Sequence, residues 1–312
     1  MSKRGSKSSY HKNENRYKFE TFSERLAKVN IDVIRHGDRT QEFPEVGDSF
    51  FAEGLAKWSE LNCTQHYGSF SAEVNQQVQS YHQLVHHKQV IVEALKKHLK
   101  IKNSLAYQPL LDLVVRLARD LQMDFYPYFR EFFEIITLIL NKQDTELLES
   151  AFQCLSYLFK VLWRYLVKDI KDVFEFYQPL LGKDQKPHIR NFAAESFSFL
   201  MRKIRYPDDL FDFIFSRLDK DSELCTGIGQ LLFEMVKSVM KQFHSCTGKV
   251  LPILLHKLGP DQDGDNIPTL PWGLVQKALS HMLCCMLEHT NKENVQVVWD
   301  CFYVSLAFNK YR

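Results

Sequence analysis

From about Ser49 onward, apolar residues recur every three or four positions in one amphipathic segment after another, with no convincing alternating strand between them. The spacing predicts helices over Ser49–Leu61, Ser69–Val85, Lys88–Leu99, Leu105–Leu121, Phe125–Leu140, Thr145–Leu166, Asp169–Leu181, Pro187–Ile204, Asp208–Leu218, Gly227–Phe243, Val250–Leu258, Pro271–Leu287 and Glu293–Ala307. Taken in pairs, the second helices begin near 104, 145, 187, 227 and 271, about 40 to 44 residues apart. Each helical hairpin then buries its apolar face only by stacking on the next. Only 12 glycines and 10 prolines punctuate 312 residues, which disfavours a many-turned β fold. The expected fold class is an all-α, HEAT/armadillo-like α-solenoid of antiparallel helix pairs.

One pair of segments aligns at an offset of 42 residues. Leu147 meets Ile189, Ala151 meets Ala193, Ser156 meets Ser198, Tyr157 meets Phe199 and Leu158 meets Leu200. Small residues recur where helices approach closely, and large ones where the inter-repeat core needs filling. Asp184-Gln-Lys-Pro-His-Ile-Arg190 resembles the HEAT pattern D-x-x-P-x-[VI]-R. Pro187 suits the first turn of a helix, where a missing N–H costs nothing. The resemblance implies that Asp184, Pro187, Ile189 and Arg190 are structural, with Asp184 and Arg190 joining the turns of successive units.

Charge divides the chain. Lys3, Arg4, Lys7, Lys12, Arg16 and Lys18 against Glu14 give residues 1–18 a net +5, leaving the body near −3 of the total +2. This arm is poor in apolar residues and is expected to be disordered when free, with an acidic partner such as RNA within its reach. Residues 19–48 read as an N-terminal anchor segment and 49–312 as divergent repeats. The seven cysteines form no C-x-x-C pair, and Cys154, Cys284, Cys285 and Cys301 fall in apolar helical runs. They read as reduced, buried thiols of an intracellular protein. No apolar run reaches the length of a membrane span.

Val33-Ile-Arg-His-Gly-Asp-Arg-Thr40 is close to the R-H-G-x-R-x-P loop of the histidine acid phosphatases, where the His is the nucleophile and the Args hold phosphoryl oxygens. Gln41 stands where that family has Pro, and no His in the chain is followed by Asp or by Ala-Glu, the expected proton donor. The loop therefore reads as a basic turn around Arg35, His36 and Arg39 after a short apolar anchor. His82 and His86 share a helical face with no acidic or Cys ligand near in sequence, and read as solvated. Asp261-Gln-Asp-Gly-Asp265 has its glycine in the fourth place and Trp272 in the twelfth, so it reads as an acidic loop and not a calcium site. Phe243-His-Ser-Cys-Thr-Gly248 lacks a base to activate Cys246, and Gly248 reads as a helix terminator. No metal, cofactor or small-molecule substrate is expected.

Two basic groups are candidate contacts for RNA or an acidic partner. Lys160, Arg164, Lys168 and Lys171 share one side if their helix continues that far. Arg202, Lys203 and Arg205 end another helix, where cations also complement the dipole.

Val29–Ile34, Leu105–Pro127, His188–Lys203, Gly229–Met235 and Phe243–Gly248 carry a further resemblance. Together they resemble the N-terminal region of the very large HEAT-repeat scaffold subunit of the small-subunit processome, the "down-regulated in metastasis" family. The likeness reaches from about Arg16 to Gly259 and loosens beyond Asp261. It implies a nuclear, nucleolar, non-enzymatic scaffold whose partners are pre-ribosomal RNA, the U3 small nucleolar RNA and other processome proteins. A generic HEAT adaptor is the alternative. The chain stops inside a helix-like unit, so it is expected to be a fragment whose uncapped apolar face promotes aggregation.

Overall fold

The computed structural model describes residues 17–29, 49–140 and 144–204, the helices Cys225–Ser238 and Val295–Lys310, and scattered positions around those two helices. The described residues are helical, with no strand among them. In chain order the helices are α1 (Phe22–Lys28), α2 (Phe50–Leu61), α3 (Gln65–Val74), α4 (Tyr81–His86), α5 (Lys88–Leu99), α6 (Tyr107–Leu121) and α7 (Phe129–Ile139). Then follow α8 (Thr145–Leu166), α9 (Ile170–Tyr177), α10 (Pro187–Met201), α11 (Cys225–Ser238) and α12 (Val295–Lys310). The all-α reading holds.

The helices form two layers. In one, α3 packs on α5 and α5 on α7, and the rings of Phe133 and Phe176 carry the contact on to α9 at 5.2 Å. In the other, α2 packs on α6, α6 on α8, α8 on α10 and α10 on α11. The hairpins α5–α6, α7–α8 and α9–α10 cross between the layers in the same order. The first hairpin is inverted, since α2 joins the layer of second helices and α3 the layer of first helices. The sequence pattern expected Ser49–Leu61 to be a first helix.

Several boundaries differ from the periodicity. The segment expected as one helix over Ser69–Val85 breaks into α3, a 3-10 turn at Asn75–Gln77, and α4. Ser80 accepts from the Gln83 amide at 3.3 Å and starts a new helix, as a side chain that competes for backbone donors does. A 3-10 stretch over Gln122–Tyr128 delays α7, because Pro127 has no N–H to give an α-helix. The helix at Thr145 starts and ends as read, with Asp144 accepting from Glu146 and Leu147 amides at 3.0 and 3.2 Å.

Four of the five pairs aligned at the 42-residue offset have matching burial: Ala151 and Ala193 are both fully buried, as are Leu158 and Leu200, whereas Leu147 is half-buried and Ile189 buried. Cys154 is buried, and burial pushes its thiol well above the ordinary range. Cys284 corrects the expectation of buried thiols, since it is exposed, and Cys301 is half-buried. Gly248 is itself helical, so it does not close a helix there.

Helix α12 exposes Val295, Val297, Trp299, Tyr303 and Val304. Val295, Trp299 and Tyr303, four residues apart, share one face, and an exposed apolar row of this kind drives association in water. The chain is expected to self-associate with rising concentration in sedimentation velocity, and Trp299→Glu with Tyr303→Glu is expected to reduce this. A single monomeric species at every concentration would count against it.

Candidate partner and nucleic-acid interface

The layer of second helices, with its C-terminal ends, carries most of the candidate residues that the structure describes. α8 and α10 run side by side and touch through Phe152 and Phe192, whose ring centroids are 4.5 Å apart. At the C-terminal ends of these helices, cations gather on aromatic rings. The Arg164 guanidinium lies 5.0 Å from the Trp163 ring centroid, and the Lys203 ammonium lies 5.4 Å from the centroids of both Trp163 and Phe199. Trp163 and Phe199 are half-buried, while Arg164 and Lys203 are exposed. A ring face holding a cation fixes an otherwise mobile side chain while its charge still faces water. Cations here also complement two helix C-termini.

The four-residue row read from sequence is not one helical side. α8 ends at Leu166, and α9 begins at Ile170. Lys168 falls between them, 5.5 Å above the Tyr165 ring, and Lys171 is exposed on α9. Lys168 and Lys171 therefore do not continue the face of Lys160 and Arg164. Tyr126 donates to Asp169 at 2.6 Å beside this group, and burial together with that carboxylate raises its phenol well above the ordinary range.

Other candidates have structural partners. Lys160 donates to the carbonyls of Leu26 and Val29, so its charge closes the C-terminus of α1. Arg202 is half-buried, and burial lowers its guanidinium below the ordinary value, with Glu234 of α11 opposing that shift. Arg190 donates to the Lys183 and Gln185 carbonyls at 2.9 and 2.6 Å, bracing its own loop, and Asp184 is exposed. Ile189 is buried, and Pro187 occupies the first turn of α10. Lys18 is exposed. Lys3, Arg4, Lys7, Lys12, Arg16 and Arg205 lie outside the described residues, as do the Arg35–Arg39 loop, Asp261–Asp265, His244 and Cys246. His82 and His86 are exposed on α4.

Sequence reading gave residues 19–48 as an anchor segment but placed no helix in it and no docking across α8 and α10. Residues 17–29, placed in part within a basic arm, form α1 and its approach and lie along the seam of the two helices. Phe22 and Arg25 are both 1% exposed, and Val29 is 2% exposed. Arg25 ion-pairs with Glu149 and donates to the Glu20 carbonyl at 3.1 Å. Thr21-x-x-Glu24, a reciprocal capping box, was a readable signal for the helix though not for its docking place.

A second concavity of about 230 Å³ lies between α2, α6 and α8. In its lining Asp112 accepts from Trp58 Nε1 and Arg116 Nε, both at 2.8 Å, and the Arg119 guanidinium lies 3.8 Å over the Phe50 ring. Among the described residues no cluster of His, Cys, Asp and Glu could hold a metal ion, and no helix is long and apolar enough to cross a membrane.

No family model matches the chain. Over 196 residues it is 32% identical to U3 small nucleolar RNA-associated protein 20 of Schizosaccharomyces pombe. The protein of that name from Saccharomyces cerevisiae is 29% identical over 257 residues. These matches cover 62% and 79% of this chain but 8% and 10% of the two relatives. The chain thus spans about a tenth of the length of the curated relatives it matches. The resemblance drawn from Leu105–Pro127 and His188–Lys203 agrees with these homologues.

Proposed function

We propose that this chain is part of a non-enzymatic scaffold of the nucleolar small-subunit processome. There its helical layers brace pre-ribosomal RNA, the U3 small nucleolar RNA and processome proteins during maturation of 18S rRNA. The observation that carries the reading is the match to two proteins named for association with U3 small nucleolar RNA. The layered architecture suits it, because stacked hairpins offer a long surface and tolerate growth by addition of units. The phosphatase alternative rests on Arg35–Arg39 alone, and Gln41 with the missing His-Asp element speaks against it.

Direct RNA contact is assigned to Arg164 and Lys203 beside Trp163, with the basic residues 3–18 adding charge. Rings that hold cations offer phosphate contacts and a stacking face together. The test is crosslinking and immunoprecipitation of the tagged chain from nuclear extract, read out as RNA and co-purifying proteins. U3 RNA and pre-ribosomal RNA are expected to be enriched. In purified form, Arg164→Glu with Lys203→Glu is expected to weaken RNA binding about tenfold or more and to lower the salt slope by about two. Loss of crosslinks without loss of processome proteins would leave a scaffold that touches protein only. Absence of both would overturn the reading.

A further inference from the structure

The docking of residues 17–29 has the anatomy of a bound peptide. Three side chains, Phe22, Arg25 and Val29, are buried at spacings of three and four, while Ser23, Glu24, Ala27 and Lys28 face solvent. That is the anchor pattern of a helix lying in a groove. The floor is aromatic: Phe22 lies 6.2 Å from Phe159, 5.8 Å from Phe192 and 5.5 Å from Phe199. Phe19 stacks on His188 at 4.5 Å and meets Phe152 edge-on at 5.8 Å.

The groove also supplies what a seven-residue helix cannot supply for itself. Two turns are far too short to persist alone in water. Glu195 of α10 accepts from the Phe22 amide at 2.7 Å, so a carboxylate faces the helix N-terminus. Lys160 of α8 donates to the Leu26 and Val29 carbonyls, so an ammonium faces the C-terminus. Both charges have the sign that the helix dipole favours. Glu149 takes the Arg25 guanidinium and also accepts from Tyr17 Oη at 3.3 Å and the Glu20 amide at 3.4 Å. Its carboxylate is thus given over to this one segment.

α1 is additional to the solenoid and not a member of it. It packs on α8 and α10, which already touch through Phe152 and Phe192. Nineteen residues, 30–48, join it to α2. Because α1 belongs to the same chain as the groove, its docking is intramolecular, and occupancy needs only modest intrinsic affinity.

We infer that the seam of α8 and α10 is a recognition groove for a short amphipathic helix with Phe and Arg three residues apart, and that residues 17–29 occupy it in cis as a displaceable ligand. Its partner chemistry is an apolar ring for the Phe159–Phe192–Phe199 floor and a guanidinium for Glu149, on a helix whose ends meet Glu195 and Lys160. Such a groove is closed while the chain's own segment is seated and open to a segment of the same chemistry when it lifts.

The test uses the full chain with a protease site inserted between Gly37 and Asp38. After cleavage, the N-terminal piece is expected to stay bound at high concentration and to exchange with a fluorescent peptide of residues 17–29, followed by anisotropy. Arg25→Ala in the peptide and Glu149→Ala in the chain are each expected to weaken binding about tenfold, and the two together little more than either alone. Ser23→Ala in the peptide is expected to change nothing. If release of the piece unfolds α8 and α10 by circular dichroism, α1 is core and the inference fails. It fails equally if the peptide lacking Phe22 and Arg25 binds as well as the native one, or if no exchange occurs.

Discussion

Asp120→Ala is expected to be the most destabilising polar substitution among the described residues, costing about 3 kcal/mol. Asp120 is 1% exposed on α6, and its carboxylate accepts from Ser49 Oγ at 2.8 Å and from the Phe50 and Phe51 amides at 3.1 and 2.8 Å. These amides belong to the first turn of α2, whose donors have no partner within their own helix. Ser49 serves the next one, accepting from Ala52 at 3.1 Å. Truncation would leave two buried donors and a part-buried one beside a small cavity, and bonds to a charged acceptor are the ones whose loss costs most. Asp120→Asn keeps the shape but turns one N–H toward those donors, so a smaller loss is expected. The check is hydrogen exchange beside thermal melting: the amides of α2 lose protection first, while α10 keeps its own. A variant that melts like the native chain, with α2 still protected, would show that Asp120 is not the anchor of that helix.

This contact also shows where sequence reading stops. The α8 boundaries were legible because their causes are local: Asp144 at the cap and apolar residues at helical spacing through Leu166. The match of Ala151 with Ala193 was legible because repeated packing demands repeated residue size. The inversion of the α2–α3 hairpin was not. It depends on Asp120 reaching back 71 positions to Ser49 and on the fit of Tyr67 Oη to the Leu55 carbonyl at 2.9 Å, neither of which leaves a periodic trace. Lys160 read as a surface cation because its neighbours in sequence gave it no partner. Its partners, the Leu26 and Val29 carbonyls, are 134 and 131 positions away. At the candidate interface the basic residues were visible in sequence, but the rings that position them were not weighed. Trp163 beside Arg164 was the available signal, and Lys203 joins it only through the packing of α8 on α10.

Gly227→Ala is expected to destabilise the C-terminal half of the described array, against the intrinsic preference of a helix for alanine. Gly227 lies in the first turn of α11, which packs on the 3-10 turn Gln178–Leu181 and on α10. A Cβ there would stand 2.0 Å from the Leu181 carbonyl oxygen and 2.7 Å from its carbon. Alanine should gain up to about 1 kcal/mol in helix propensity. The clash opposes it, and the obstructing atoms are backbone in a turn already fixed by the buried Leu180 and Leu181, so they cannot swing aside. Overpacking of this kind costs about 1–3 kcal/mol or more, so a net loss of about 2 kcal/mol is expected. Two comparisons isolate the cause. Gly68 has nothing within 4 Å, so Gly68→Ala in α3 is expected to stabilise by up to about 1 kcal/mol. At Gly54 the obstruction is Arg116 Cδ at 2.3 Å, the middle of a flexible side chain, so Gly54→Ala is expected to fall between the other two. Because each unit of a solenoid leans mainly on its neighbours, the Gly227 variant should lose hydrogen-exchange protection in α10 and α11 and keep it in α2 through α6. Uniform loss along the array would mean that the units melt together, and a variant more stable than the native chain would mean that α11 does not approach the Leu181 backbone so closely.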